Sequence, residues 1–163
     1  MSTPVSPSAS PSVVVLGFDG LDVATAYDVW QLRQAVFVVE QACPYPDLDG
    51  RDREPGTRHV LLREAGALVG YARVLDDGGV GEWRIGRVVL APAARGRGLA
   101  TPLMEAALAA CPAGRDVVLD AQAPLAGFYG GFGFVVDGAE FLEDGIPHVP
   151  MRLSGRAVSP GTR

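Results

Sequence analysis

The sequence contains no lysine: all 14 of its basic side chains are arginine. That absence excludes the phosphate loop of nucleoside triphosphatases, G-x-x-x-x-G-K-[ST], because the loop's lysine has no counterpart here. An arginine-only basic set beside abundant alanine, glycine and proline is what codon bias in a GC-rich genome produces. Arginine as such therefore carries little functional weight. Cysteine is scarce too. Cys43 and Cys111 make neither a disulfide framework nor a metal set and read as two reduced thiols in a cytosolic protein. No run of about 18 apolar residues occurs, so no transmembrane helix is expected. The N-terminus lacks the basic and apolar regions of a signal peptide. A net charge of −5 speaks against a generic nucleic-acid-binding surface.

What is there is ordinary for one globular domain: 163 residues, 48% hydrophobic and 20% charged, enough to bury a real core. Residues 1–12 are a low-complexity Ser/Pro segment and read as a disordered tail. Residues 154–163 read as a second flexible tail, which leaves a domain over 13–153. Val13 to Phe18 is a β-branched run, hence a strand. Asp22 is a plausible N-cap for a helix carrying Ala26, Val29, Trp30, Arg33, Val36, Phe37 and Glu40 at helical spacing, with Arg33 and Glu40 as its polar exceptions. Two prolines then break the chain, and Asp47, Asp49 and Asp52 follow in a spacing that no EF-hand uses. That segment reads either as a solvated loop with Asx turns or as an acidic rim.

Strands are predicted at Arg58 to Arg63 and Leu68 to Leu75, joined by a turn at Gly66, and again at Glu82 to Leu90. In the last of these Glu82, Arg84, Gly86, Val88 and Leu90 share one face, and Arg87 faces away with Trp83, Ile85 and Val89. The helix ending at Cys111 is apolar nearly all round and should be buried. Asp116 to Ala121 and Phe132 to Val136 read as strands, Pro124 to Tyr129 as a short helix, Phe141 to His148 as a loop and Val149 to Leu153 as a closing strand. Consecutive strands favour hairpin pairing, and a later strand–helix–strand unit favours a parallel neighbour. The fold class is therefore α/β (α+β): one mixed, mostly antiparallel sheet with helices on both faces.

The chain is organised around Val88 to Thr101. Val88-Val89-Leu90 is an apolar strand, Pro92 stops it, and Arg95-Gly96-Arg97-Gly98 leads into a helix with Pro102 in its first turn. A glycine-rich loop between a strand and a helix start is an anion cradle. The glycines let a ligand approach the backbone, and unpaired N–H groups of the first turn point at it. Arg95 and Arg97 add positive charge, and the cradle suits a pyrophosphate.

These residues resemble the GCN5-related N-acetyltransferase (GNAT) superfamily. Arg95-x-x-Gly98-x-Ala100 is similar to its R/Q-x-x-G-x-G/A signature, and Val88 to Pro92 resembles its fourth strand and proline exit. Ala126-Gly-Phe128-Tyr129-x-x-Phe132-Gly-Phe134 resembles its second motif, in which a tyrosine faces the thioester sulfur. The segments Leu32 to Gln41, Cys43 to Gly50, Arg58-His59, Gly86 to Val88, Ala121 to Ala123 and Asp144 to His148 are similar to the ElaA-like branch of that family.

The resemblance implies a sheet splayed between the fourth and fifth strands, acetyl-CoA as co-substrate and an amine as acceptor. It implies no metal. Val88, Val89 and Leu90 would lie beside the pantetheine arm and acetyl group. Arg95, Gly96, Arg97, Gly98, Leu99, Ala100 and Thr101 would hold the pyrophosphate, with Phe128 against the cofactor. Tyr129 would protonate the departing sulfur. The residue at the family's strand-four glutamate position is Arg84, so Glu82 is the first candidate base. Glu40, His59, Glu143, His148 or a water chain are the alternatives, and Gln122 is a candidate pocket wall. A covalent cysteine route is disfavoured, since Cys111 lies about 13 residues, or ~20 Å of helix, from Gly98. The acidic segments Asp47 to Asp52 and Glu140 to Asp144 suggest a cationic acceptor. Expected partners are acetyl-CoA and the amine, without nucleic acid or membrane, in the cytoplasm, with a homodimer left open. An enlarged pocket at Gly86 would admit a longer acyl donor. The rival reading is a non-catalytic acyl-CoA-binding sensor or interaction module.

Overall fold

The computed structural model describes residues 10–155. The two expected tails lie outside those residues, apart from 10–12 and 154–155. β1 (Ser12–Leu16), β2 (Arg58–Glu64), β3 (Ala67–Asp77), β4 (Glu82–Leu90), β5 (Asp116–Gln122), β6 (Val135–Val136), β7 (Phe141–Glu143) and β8 (Ile146–Leu153) form one sheet. Its order is β1-β2-β3-β4-β5-β8-β6, with β7 also paired to β8. Every pairing is antiparallel except β4 with β5. That parallel pair joins only Glu82–Arg84 to Asp116–Val118. Beyond Arg84 the strands part.

Helices cover both faces. On one, α1 (Val23–Arg33) begins where the Asp22 carboxylate accepts the Thr25 N–H at 2.7 Å. Val29 and Val36 pack there on Leu61, Tyr71 and Val89. On the other, Leu103, Met104 and Ala107 of α2 (Ala100–Ala109) pack on Val60, Leu62, Ala72, Val74 and Ile85. The short α3 (Ala126–Gly130) follows β5. Alternation along β2 explains the division, since neighbouring residues point to opposite faces.

Five expectations are corrected. The first helix does not run unchanged to Glu40: α1 gives way to a seven-residue π-helical stretch, Gln34–Glu40. Glu82–Leu90 does not alternate throughout. Tyr71 pairs Val89 and Arg73 pairs Gly86, so β4 carries one extra residue opposite Ala72. Arg87 takes φ +53° at this bulge. After it Val89 joins the α1-side core, while Val88 and Leu90 pack toward α2. Gly86, Val88 and Leu90 therefore do not share a face. α2 is buried on one side only, because Thr101, Glu105 and Ala109 are exposed. The strand expected from Phe132 shrinks to Val135–Val136. The expected loop from Phe141 to His148 is a hairpin instead. Asp144 at φ +48° and Gly145 at φ +78° make its two-residue turn, the two positive φ values that a type I′ turn requires.

Candidate active site

A cleft of about 800 Å³ lies where β4 and β5 part. Gly86 to Leu90 of β4 form one wall, and Leu119, Asp120 and Gln122 of β5 form another. Phe128 and Tyr129 of α3 close one end, and the π-helical stretch contributes Phe37 and Glu40. Beyond Arg84 the edge of β4 that faces β5 has no strand partner, so its main-chain groups are available to a ligand.

The loop before α2 has the geometry of an anion cradle. Gly96 and Gly98 sit at φ +70° and +74°, a region glycine enters without steric cost. Among the described residues, the N–H groups of 96–100 meet no protein acceptor. Ala100 lines the cleft; the Leu99 side chain is core; Thr101 is exposed in the first turn of α2. The arginine side chains are already paired. Arg95 makes two hydrogen bonds to the Glu40 carboxylate at 2.6 and 2.9 Å, and Arg97 makes two to Glu64 at 2.9 and 2.6 Å. These pairs are solvent-exposed, where such contacts are worth little and exchange readily.

Tyr129 is 6% exposed and lines the cleft. Phe128 and Phe134 meet its ring edge-on at centroid distances of 5.1 and 6.4 Å. Its hydroxyl makes no hydrogen bond among the described residues, and burial pushes its pKa up to about 12. It is a neutral donor without a partner.

The candidate bases separate. Glu82 lies at the β4–β5 junction, outside the cleft lining. Its carboxylate is 3.0 Å from Arg152 and 3.8 Å from Arg84. His59 is 1% exposed and sits between Tyr71 and the Asp52 carbonyl. Glu40 is in the cleft wall but held by Arg95. Glu143 and His148 both line the cleft, 3.7 Å apart. Gln122 lines it as well and donates to Gln41 at 3.2 Å across it. Arg84 is tied to Asp77 and Asp120 at 3.1 Å each.

The acidic rim does not form from Asp47 to Asp52. Asp47 and Asp52 are buried, and three arginines neutralise the run. Arg33, with no exposed surface, reaches Asp47 at 2.9 Å and Asp52 at 2.6 Å. Arg73 grips both Asp49 oxygens at 2.8 Å and touches Asp52 at 3.1 Å. Arg87 meets Asp47 at 2.8 Å and lines the cleft rather than facing away with Trp83, Ile85 and Val89. Burial alone would raise the Asp49 carboxyl; the Arg73 pair overrides it and holds the group well below the usual carboxylate range. Arg73 and Tyr45 are cleft residues that the sequence reading missed. An arginine inside the apolar strand Leu68 to Leu75 was the available signal for the first.

Among the described residues no helix is long and apolar enough to cross a membrane. Three comparisons bear on the whole arrangement. The family model "Acetyltransferase (GNAT) domain" matches residues 25–154. A UPF0039 protein of Mycobacterium tuberculosis is 47% identical over 138 residues, 83% of this chain and 88% of that protein. Protein ElaA of Escherichia coli is 44% identical over 135 residues, 80% of this chain and 88% of its own. A crystal structure of an acyl-CoA N-acyltransferase from Pseudomonas aeruginosa superposes with a TM-score of 0.84 at 43% identity, covering 88% of this chain and 99% of that one.

Proposed function

This chain belongs to the GNAT acetyltransferase family, on its ElaA-like branch, and on that footing we propose that it transfers an acetyl group from acetyl-CoA directly to an amine. The observation that carries the reading is one cleft holding an open β4 edge and the unbonded hydroxyl of Tyr129, with the free N–H groups of 96–100 and Ala100 at its border. The similarity to an acyl-CoA N-acyltransferase of known structure supports a CoA thioester as donor.

In this reading the N–H groups of Gly96 to Ala100 bind the pyrophosphate, aided by the α2 dipole at about 0.3–1 kcal/mol. Arg95 and Arg97 exchange Glu40 and Glu64 for phosphate oxygens. The free edge of Val88 to Leu90 pairs with the pantetheine amides, Phe128 packs on the arm, and a main-chain N–H there stabilises the oxyanion that forms on the thioester carbonyl. The amine attacks, the C–S bond breaks, and Tyr129 hydrogen-bonds and protonates the departing sulfur. Its pKa of about 12 keeps it protonated across the working range. Glu82 is not carried forward as the base, because its carboxylate is occupied by Arg152 away from the cleft. The free thiols Cys43 and Cys111 fit the reducing cytoplasm.

Thiol release from acetyl-CoA and longer acyl-CoAs across an amine panel, with mass detection of product, tests the proposal. We expect acceptor-dependent release that is greatest with acetyl-CoA. Tyr129→Phe, which keeps the ring and its packing, should lower kcat about 10²–10⁴-fold with CoA affinity unchanged. Tight CoA binding without acceptor-stimulated release would mean a sensor module instead.

A further inference from the structure

The chain's two histidines have different hydrogen bonds. His59 has both ring nitrogens engaged. Nε2 donates to the Asp52 carbonyl at 3.0 Å, and Nδ1 accepts from the Tyr71 hydroxyl at 2.7 Å. His148 has one engaged. Its Nδ1 lies 2.7 Å from the Ile146 carbonyl oxygen. A carbonyl only accepts, so Nδ1 carries the proton and the neutral ring presents its lone pair on Nε2. No hydrogen bond holds Nε2 among the described residues. A Glu143 carboxylate oxygen stands 3.7 Å from it, too far for a hydrogen bond.

The ring is also held in place. Phe141 stacks on it at 5.8 Å and 24°, and the β5–β8 pairing sets His148 opposite Gln122. His148 is 9% exposed and lines the same cleft as Tyr129. The cleft thus contains an unpartnered O–H donor and an unpartnered imidazole acceptor.

From this geometry we infer that His148 Nε2 is the general base of the reaction. The inference rests on the acyl-transfer reading. The acceptor arrives as R–NH₃⁺. Nε2 takes one proton and passes it to solvent. The freed nitrogen pair attacks the thioester carbon, and the C–S bond breaks as the N–C bond is retained. Sulfur leaves with the Tyr129 proton, and the second nitrogen proton restores Tyr129. The balance is one amide, one CoA thiol and one released proton. The ionisable groups that line the cleft with His148 include Glu143 and Asp144 beside it, Asp120 on β5 with Arg84 3.1 Å from it, and Glu40, Cys43, Tyr45, Arg87 and Tyr129.

Two substitutions separate base from scaffold. His148→Asn keeps a donor for the Ile146 carbonyl, and His148→Gln keeps an amide near the Nε2 position. Each should lower kcat/KM for the amine about 10²–10⁴-fold, with CoA affinity by calorimetry and the melting midpoint near wild type. The ascending limb of the wild-type kcat/KM profile should move in both variants to the pKa of the amine itself. Glu143→Gln removes the carboxylate charge 3.7 Å from Nε2 and should lower kcat/KM for the amine by less than either His148 variant does. Both His148 variants staying within about threefold of wild-type kcat/KM, with the limb unmoved, would overturn the assignment. So would rate losses in both that track lost CoA affinity and melting. A wild type that releases no thiol with any amine defeats the acyl-transfer reading, and this inference with it.

Discussion

Asp52 shows what a single side chain contributes here. It is 6% exposed and accepts from both Arg33 and Arg73. Removing one member of a buried ionic cluster leaves uncompensated charge, at a cost of about 3–5 kcal/mol. Asp52→Asn should therefore lower the urea unfolding free energy by about that amount, and Asp49→Asn by less, since Asp49 is more exposed. Burial would raise both carboxyls, yet the arginines depress them. A folded pKa below the unfolded value of about 3.9 means that protonation favours the unfolded chain. The stabilisation is complete above that value and is lost as pH falls through the folded pKa. Wild type should destabilise on acidification through this range, and Asp52→Asn should show a shallower slope. Three close aspartates were legible in the sequence; their partners were not. Arg33, Arg73 and Arg87 come from α1, β3 and β4, and only the tertiary fold brings them to one loop.

At the level of elements, legibility followed locality. The stretch from Val88 to Thr101 could be read because each cue is a residue with its own backbone rule: Pro92 stops the strand, and Gly96 and Gly98 permit positive φ. The bulge could not be read, because Arg87 at φ +53° looks like any residue in an alternating strand. The π-helical register of Gln34–Glu40 was equally hidden, since its side chains suit an α-helix and packing selects the wider turn. Asp144-Gly145 is a hairpin turn pair that the loop expected from Phe141 to His148 overlooked, and the pairing of β8 with β5 is a tertiary contact with no local cue. Gly98 tests the cradle as an element. A Cβ there meets nothing within 4 Å, so Gly98→Ala costs only the strain of φ +74°, about 1–2 kcal/mol. Relief of that strain would turn the N–H groups away from their common focus. CoA affinity should fall about tenfold while acceptor binding is unaffected, which calorimetry with CoA and with the amine can separate.

Across the whole molecule, the α/β class and the helices on both faces follow from the order of elements. The splay between β4 and β5 does not, and the family resemblance supplied it. The splay leaves the β5-facing edge of β4 without a strand partner beyond Arg84, while its other edge stays paired with β3. A folded chain keeps such a gap when something else fills it, because unpaired main-chain groups near a core are costly. A ligand that pairs with that edge should therefore stabilise the entire sheet and not the loop alone. One that binds only the native state contributes about 2.7 kcal/mol at a hundred times its Kd. For a chain of this length that is a rise of about 5–10 °C in the melting midpoint. CoA and acetyl-CoA should produce that rise. ADP at the same concentration should produce little of it, since it offers the pyrophosphate to the Gly96–Ala100 cradle but no amides to Val88 to Leu90. Equal shifts with ADP and CoA in a melting series would place all the ligand's hold at the cradle and leave the open edge of β4 without a role in binding.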